Sequence, residues 1–453
     1  MPHLAEFGNS LDSLDGELFS PDSPGYEAIR RPVNLAYREV RPRLVVLCRS
    51  VSDVVGAMTY ATATGDRIAP RGGGHCFAGR SSTDGIVLDM SGLDGVSVAD
   101  DRVATIRAGA RLEQVYAALH AYGRTLPAGC GPTVGITGLT LGGGIGLLGR
   151  KHGLTCDRLV GAQVVLPDGS VVDCDYDHEP DLYWGLRGAG GGQFGVVTSL
   201  RFDTVPEPMT TRIEAHWSDI ALEELVTAWQ AWAPDAPDEL TVDLTLECEP
   251  GAPVQATLFG AATLEEGSTR ELLQEFVDRT GAAPTIELRT GLPYHHLKST
   301  FADPRDLPER ALRIRSEFFS DPMAHCTLAS LLTQLGDPRT MDPRTMDPRT
   351  TGRRQIAFTA MGGAYNRVAE DATAFAHRGE RFLLEHIAEA ADPWVDGSWA
   401  TAHADGSGRV YPNFPDPALD DWAVAYHAGN YPRLAAVKNA YDPHRFFDFP
   451  QAI

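Results

Sequence analysis

At residues 70–93 the chain reads PRGGGHCFAGRSSTDGIVLDMSGL, which sets Gly72, Gly73 and Gly74 directly before His75. A neutral imidazole is a nucleophile and a proton carrier near neutral pH. Glycine allows φ > 0 and lets backbone approach another group closely. A triple glycine beside one histidine therefore describes a reactive side chain standing over a ligand that lies on bare backbone, with Arg71, Cys76 and Gly79 in the same stretch.

A second cluster, GCGPTVGITGLTLGGGIG at 129–146, has glycine at eight of eighteen positions. Inward-pointing N–H groups in such a loop can bind a phosphate or pyrophosphate; a glycine-rich packing corner is the alternative. Within it Gly144-Ile145-Gly146-Leu147-Leu148-Gly149 satisfies G-x-G-x-x-G, with Asp168 beyond. The context argues against a nicotinamide fold, because no buried strand precedes the glycines and Gly153 breaks the following segment too soon for a crossover helix. A third run, GLRGAGGGQFGVVTSLRF at 185–202, opens into a strand at Val196 and Val197 just after Gly195. Three glycine-lined segments fit an extended dinucleotide such as FAD better than a lone phosphate.

The elements that must position these loops can be read around them. RLVVLCR, GIVLDM and AQVVLPDG are predicted strands, and SVSDVVGAMTYATATG and RLEQVYAALHAYG are predicted amphipathic helices. After the prolines at 206 and 208 the character changes. TRIEAHWSD, ELTVDLTLECE, PVQATLFGAAT and RRQIAFTAMGG alternate like half-buried antiparallel strands, and ALEELVTAWQAW and AFAHRGERFLLEHIAEA are predicted helices between them. GDPRTMDPRTMDPRTTG at 336–352 repeats DPRT three times; its prolines exclude helix and central strand, so a mobile surface loop is expected, with Arg339, Arg344 and Arg349 as solvated charges. Tyr294-His295-His296 is expected on a strand, where neighbouring rings face opposite ways and make no chelating pair, leaving them as pocket lining.

Composition narrows the classes. The chain has 453 residues, 43% hydrophobic and 22% charged, and a formal net charge of −22. That charge argues against a nucleic-acid partner, which needs clustered cations. No run of eighteen apolar residues points to a membrane, and the first residues lack the basic and apolar regions of a secretory signal, so a cytoplasmic location is expected. Seven cysteines without CxxC spacing suit neither a disulfide framework nor a zinc ribbon, and no metal site is expected.

Taken in order, RGGGH, GPTVGITGLTLGGGIG, RGAGGGQFGVVTSLRF, YPNFPDP and AVKNAYDPHRFF resemble the berberine bridge enzyme-like flavin oxidases of the vanillyl-alcohol oxidase superfamily, across nearly the whole chain. The resemblance implies an α+β, two-domain PCMH-type FAD-binding fold. The FAD-binding domain would span 1–206 and be completed by 407–453, and a substrate domain of antiparallel sheet covered by helices would span 207–406.

The resemblance places His75 where the family's histidine is joined to the 8α-methyl of FAD. The second link of many relatives comes from a cysteine in C-P-T-V-G. Here the matching position is Gly131, before Thr133, Val134 and Gly135, and Cys130 lies one residue earlier. Single attachment at His75 is expected, with Cys130 the candidate for any second bond. Gly138, Leu139, Gly142, Gly143, Gly144 and Gly146 would complete the FAD wall.

The family's Y-x-N-Y segment reads Tyr411-Pro412-Asn413-Phe414, which makes Tyr411 the expected base or hydrogen-bond donor, although an ordinary phenol is too weak a base without help. Tyr426 and Asn430 resemble the family's closing segment against the cofactor. Some sugar-oxidising relatives carry tyrosine after the GGG; Ile145 there suits an apolar or aromatic substrate better than a carbohydrate. Analogy with stand-alone oxidases of this type implies an aromatic or polycyclic natural product of secondary metabolism. The implied reaction is a two-electron oxidation in which hydride passes to flavin N5 and O2 is reduced to H2O2. A flavin dehydrogenase, a redox-neutral cyclase or a carbohydrate oxidase on the same scaffold are alternatives, and a non-redox nucleotide-binding protein is the alternative from another class. The oligomeric state is not legible.

Overall fold

The computed structural model describes Leu11 and residues 14–218, 220–301, 311–337 and 352–453. The expected DPRT loop, with its three arginines, lies outside the described residues apart from its ends.

Among the described residues three large sheets organise the chain, beside a two-stranded ribbon of Arg124–Thr125 and Val205–Pro206. The first is mixed and runs in the order Glu17–Phe19, Leu44–Leu47, Ile86–Asp89, Ile68–Arg71. Leu44–Leu47, buried over most of its length, pairs parallel to Ile86–Asp89. The helix Val51–Thr64, started by a capping box between Ser50 and Asp53 and ended by Gly65 at φ 72°, crosses over from Leu44–Leu47 to Ile68–Arg71, which pairs parallel to the other edge of Ile86–Asp89. Val54, Ala57, Met58 and Ala61 on this helix pack against Val46, Ile86 and Leu88. The second sheet is antiparallel, in the order Val96–Val98, Val103–Arg107, Val196–Asp203, Leu159–Val165, Val171–Cys174.

The third sheet has seven antiparallel strands: Thr285–Pro293, Met209–Trp217, Gln255–Ala262, Leu240–Cys248, Arg354–Ala360, Phe382–Glu389 and Leu312–Phe319, in spatial order. Alternation sorts its residues between two faces. Val242, Leu244, Leu246, Phe358 and Leu384 join a core with Trp229 of helix Leu222–Trp232, Phe276 of helix Glu266–Thr280 and Leu331 of helix His325–Leu335. Thr241, Asp243, Thr359, Leu383 and Glu385 alternate with these residues and face the other way, into a cavity.

Two expectations are corrected. AFAHRGERFLLEHIAEA does not form a helix: Phe382–Glu389 is a central strand, paired with both Arg354–Ala360 and Leu312–Phe319. FLLEHIAE satisfies a helical stripe as well as an alternation over so few residues, and the two available partner strands decide between them. Tyr294–Thr300 is a helix, not a strand, and neither His295 nor His296 lines the cavity.

The end of the chain returns to the first half. Helix Tyr431–Tyr441 carries buried Lys438, whose ammonium pairs with Asp442 at 2.7 Å and donates to the carbonyls of Gln193 (2.6 Å) and Phe447 (2.8 Å). This fastens the closing segment to the third glycine run. Among the described residues no helix is long and apolar enough to cross a membrane.

Candidate active site

A cavity of about 1330 Å³ lies between the glycine loops and the open face of the seven-stranded sheet. One wall comprises Gly72, Gly73, Gly74, His75, Cys76, Gly79, Cys130, Gly131, Val134, Gly135, Gly138, Leu139, Gly146, Gly195 and Val197, with Tyr411 and Asn413 beside them. The opposite wall comprises Thr241, Asp243, Phe259, Thr359, Leu383 and Glu385.

The glycines serve two purposes. Gly73 and Gly135 cross backbone to backbone: a Cβ on Gly73 would lie 2.3 Å from the Gly135 nitrogen, and one on Gly135 would lie 2.4 Å from the Gly73 nitrogen. This crossing brings the His75 and Thr133 loops together, so that His75 Nε2 lies 2.9 Å from the Thr133 hydroxyl. Burial pushes the imidazole down to about 4, leaving it neutral. Gly142, Gly143 and Gly144 do not line the cavity; Cβ atoms there would strike Asn413, Phe375 and Thr155. They form the packing corner weighed above, directly behind the wall.

That corner holds Tyr411. Its oxygen accepts from the Gly144 and Ile145 amides (3.0 and 3.1 Å) and from Asn413 Nδ2 (2.9 Å). Three donors favour ionisation, yet burial outweighs them and pushes the phenol up to about 12. Phe318, Phe375 and Phe414 surround its ring edge-on.

The sheet contributes two carboxyl groups that sequence reasoning missed. Asp243 accepts from the Ala360 amide at 3.0 Å, and burial raises it to about 7. Glu385 keeps an edge open to the cavity but is enclosed by protein, and burial together with the charge of Asp243 raises it to about 8. Reading Phe382–Glu389 as a helix hid Glu385. The available signal was its alternation with Leu384 and His386 in a segment predicted next to strands.

Cys130 reaches the cavity, but its sulfur lies 3.2 Å from the ammonium of buried Lys298, which also donates to the Ala128 and Gly129 carbonyls at 2.9 Å. Thr133 acts on the site through His75 rather than by lining it. Arg71 sits behind the wall, donating to the carbonyls of Ile29, Arg30 and Ser81. Tyr426 and Asn430 also stand outside the cavity. The Tyr426 hydroxyl accepts from the Asp416 amide at 2.7 Å, and Asn430 donates to the carbonyls of Glu370 and Thr373.

Residues 42–175 match the FAD binding domain family, and residues 410–453 match the berberine and berberine-like family. The FAD-linked oxidoreductase YgaK of Bacillus subtilis strain 168 is 31% identical over 97% of both chains. The chain belongs to the berberine bridge enzyme-like FAD-linked oxidoreductases. The solved structure of BBE-like 1 from Physcomitrella patens superimposes with a TM-score of 0.87 at 26% identity, covering 98% of each chain. Glucooligosaccharide oxidase from Acremonium strictum, described as holding a 6-S-cysteinyl, 8α-N1-histidyl FAD, superimposes at 0.86 and 26% identity over 98% of this chain and 99% of that one.

The cavity of this berberine bridge enzyme-like protein fits FAD on its own chemistry. Its glycine wall lets a long ligand lie on backbone, and the neutral His75 ring opens onto it.

Proposed function

We propose that this FAD-linked oxidoreductase is an oxidase for a small aromatic or polycyclic substrate, with its cofactor held covalently through His75 alone and Glu385 as the proton acceptor. The observation that carries the reading is that Glu385 and His75 face one cavity from opposite walls. FAD, when bound, supplies the two-electron acceptor and the route from there to O2.

The residues do the rest. Glu385, raised to about 8, is matched to accepting a proton from a substrate hydroxyl or amine near neutral pH. Asp243 beside it opposes a second negative charge and so keeps Glu385 within that range. Tyr411, at about 12, is suited to donate a hydrogen bond rather than to act as the base. Ile145, Phe259, Leu383 and Phe414 give the substrate apolar walls. The bond from Lys298 to the Cys130 sulfur supports single attachment. The covering domain of this reading is 207–406, and the cofactor domain is 1–206 with 407–453.

The test combines acid-denatured intact mass with oxygen uptake. Wild-type chain should carry the mass of one FAD and His75→Ala none, and O2 uptake should appear with aromatic alcohols or phenols. Dye reduction without O2 uptake would assign a dehydrogenase instead, and turnover confined to oligosaccharides would place the protein with the carbohydrate oxidases.

A further inference from the structure

Outside the cavity lining, three segments meet at a seam: the end of helix Leu112–His120, Glu207 just past strand Val205–Pro206, and the start of helix Tyr294–Thr300. We propose that His120, Glu207 and His295 form a binding site for a first-row divalent metal ion, zinc in the first instance, that ties these segments together.

The carboxylate is built in. The Glu207 amide donates to the Gly123 carbonyl at 2.9 Å, its side chain is 7% exposed, and its Oε1 accepts the His295 amide at 2.8 Å. The His120 Nδ1 atom lies 2.5 Å from Glu207 Oε2, and His295 Nδ1 lies 3.4 Å from Oε1, buried and without a hydrogen-bond partner. One donor atom from each of the three residues lies within 4.8 Å of the others. Tetrahedral zinc, with bonds of about 2.0–2.2 Å, holds its donor atoms roughly 3.3–3.6 Å apart, so the His295–Glu207 pair is already spaced for it and the His120 nitrogen must back away from Oε2. His120, at a helix end and 41% exposed, has the freedom to make that shift, and water can take the fourth position.

The rings gather at one place. The His120 and His295 rings lie 3.6 Å apart between centroids, and His296 lies 4.0 Å from His295. Imidazole nitrogens together with a carboxylate oxygen are the donor set for zinc and its neighbours.

The experiment is zinc titration of the EDTA-treated, desalted full-length flavoprotein against a chromophoric chelator, with melting followed in parallel. The expected result is one equivalent bound per chain and a higher Tm with zinc. His120→Gln and His295→Ala should each weaken binding by at least about 100-fold, while His296→Ala retains it. Cobalt loading should give the visible bands of a four-coordinate site, and these should vanish in His120→Gln. His120→Gln changes an exposed helix end and is expected to fold as wild type in EDTA. Zinc uptake that is absent in wild type, or unchanged in His120→Gln and His295→Ala, would overturn the assignment.

Discussion

His75 and Thr133, 58 residues apart in sequence, meet ring nitrogen to hydroxyl at 2.9 Å because two glycine loops cross backbone to backbone beneath them. The contact gives the histidine a fixed orientation in a neutral state. Thr133→Val should therefore slow flavin attachment without abolishing it, and His75→Ala should abolish it. Time-resolved intact mass after adding FAD to apoprotein checks both; an unchanged rate in Thr133→Val would deny Thr133 its orienting role.

Glu385→Gln should lower kcat by roughly 10²- to 10⁴-fold, the usual loss when a positioned proton acceptor is removed. A base must be ionised, so activity in the wild type should rise with pH through about 8, and Asp243→Asn should move that limb to lower pH. The apparent value belongs to the pair. Steady-state pH profiles of the three proteins measure this directly.

Gly73→Ala should destabilise the protein by about 3 kcal/mol, at the upper end of ordinary overpacking, because its Cβ would meet backbone atoms at 2.3 and 2.7 Å that have no rotamer by which to move away. Denaturant unfolding compares it with Gly138→Ala, where no atom lies within 4 Å of the added Cβ and little change is expected.

Stability should fall on both sides of neutrality. Asp243 and Glu385 are raised in the fold, so their contribution is complete below about pH 4 and is lost as pH rises through about 7 and 8. Buried His377, His386 and His427 are depressed to about 3, so theirs is present above about 6.5 and is lost as pH falls toward 3. Melting temperatures across this range should show a maximum, and Glu385→Gln should flatten the fall on the alkaline side and steepen the rise between about pH 4.5 and 6.5.

Much of this was legible in the chain itself. Glycine spacing announces where backbone must lie bare, and a lone histidine among such glycines stands out, so the three loops, His75 and the surrounding strands and helices of the first half could be read from local pattern. The resemblance to flavin oxidases rests on the same loops, since their residue types are dictated by contacts within each loop and with one ligand. What local pattern could not carry was the role of residues whose partners are distant. Tyr426 and Asn430 look like cofactor ligands in sequence and prove to tie loops together.

The sequence by itself determined the class of ligand, the cradle and the histidine that opens onto it, because glycine conformation and loop chemistry act over a few residues. Only the tertiary structure decided that FLLEHIAE is a strand, that Glu385 therefore faces the cavity beside Asp243, and that His120, Glu207 and His295 converge. Each of those outcomes depends on pairing or packing between segments far apart in the chain, and the free energy of such contacts outweighs the weak local preferences that sequence pattern reports.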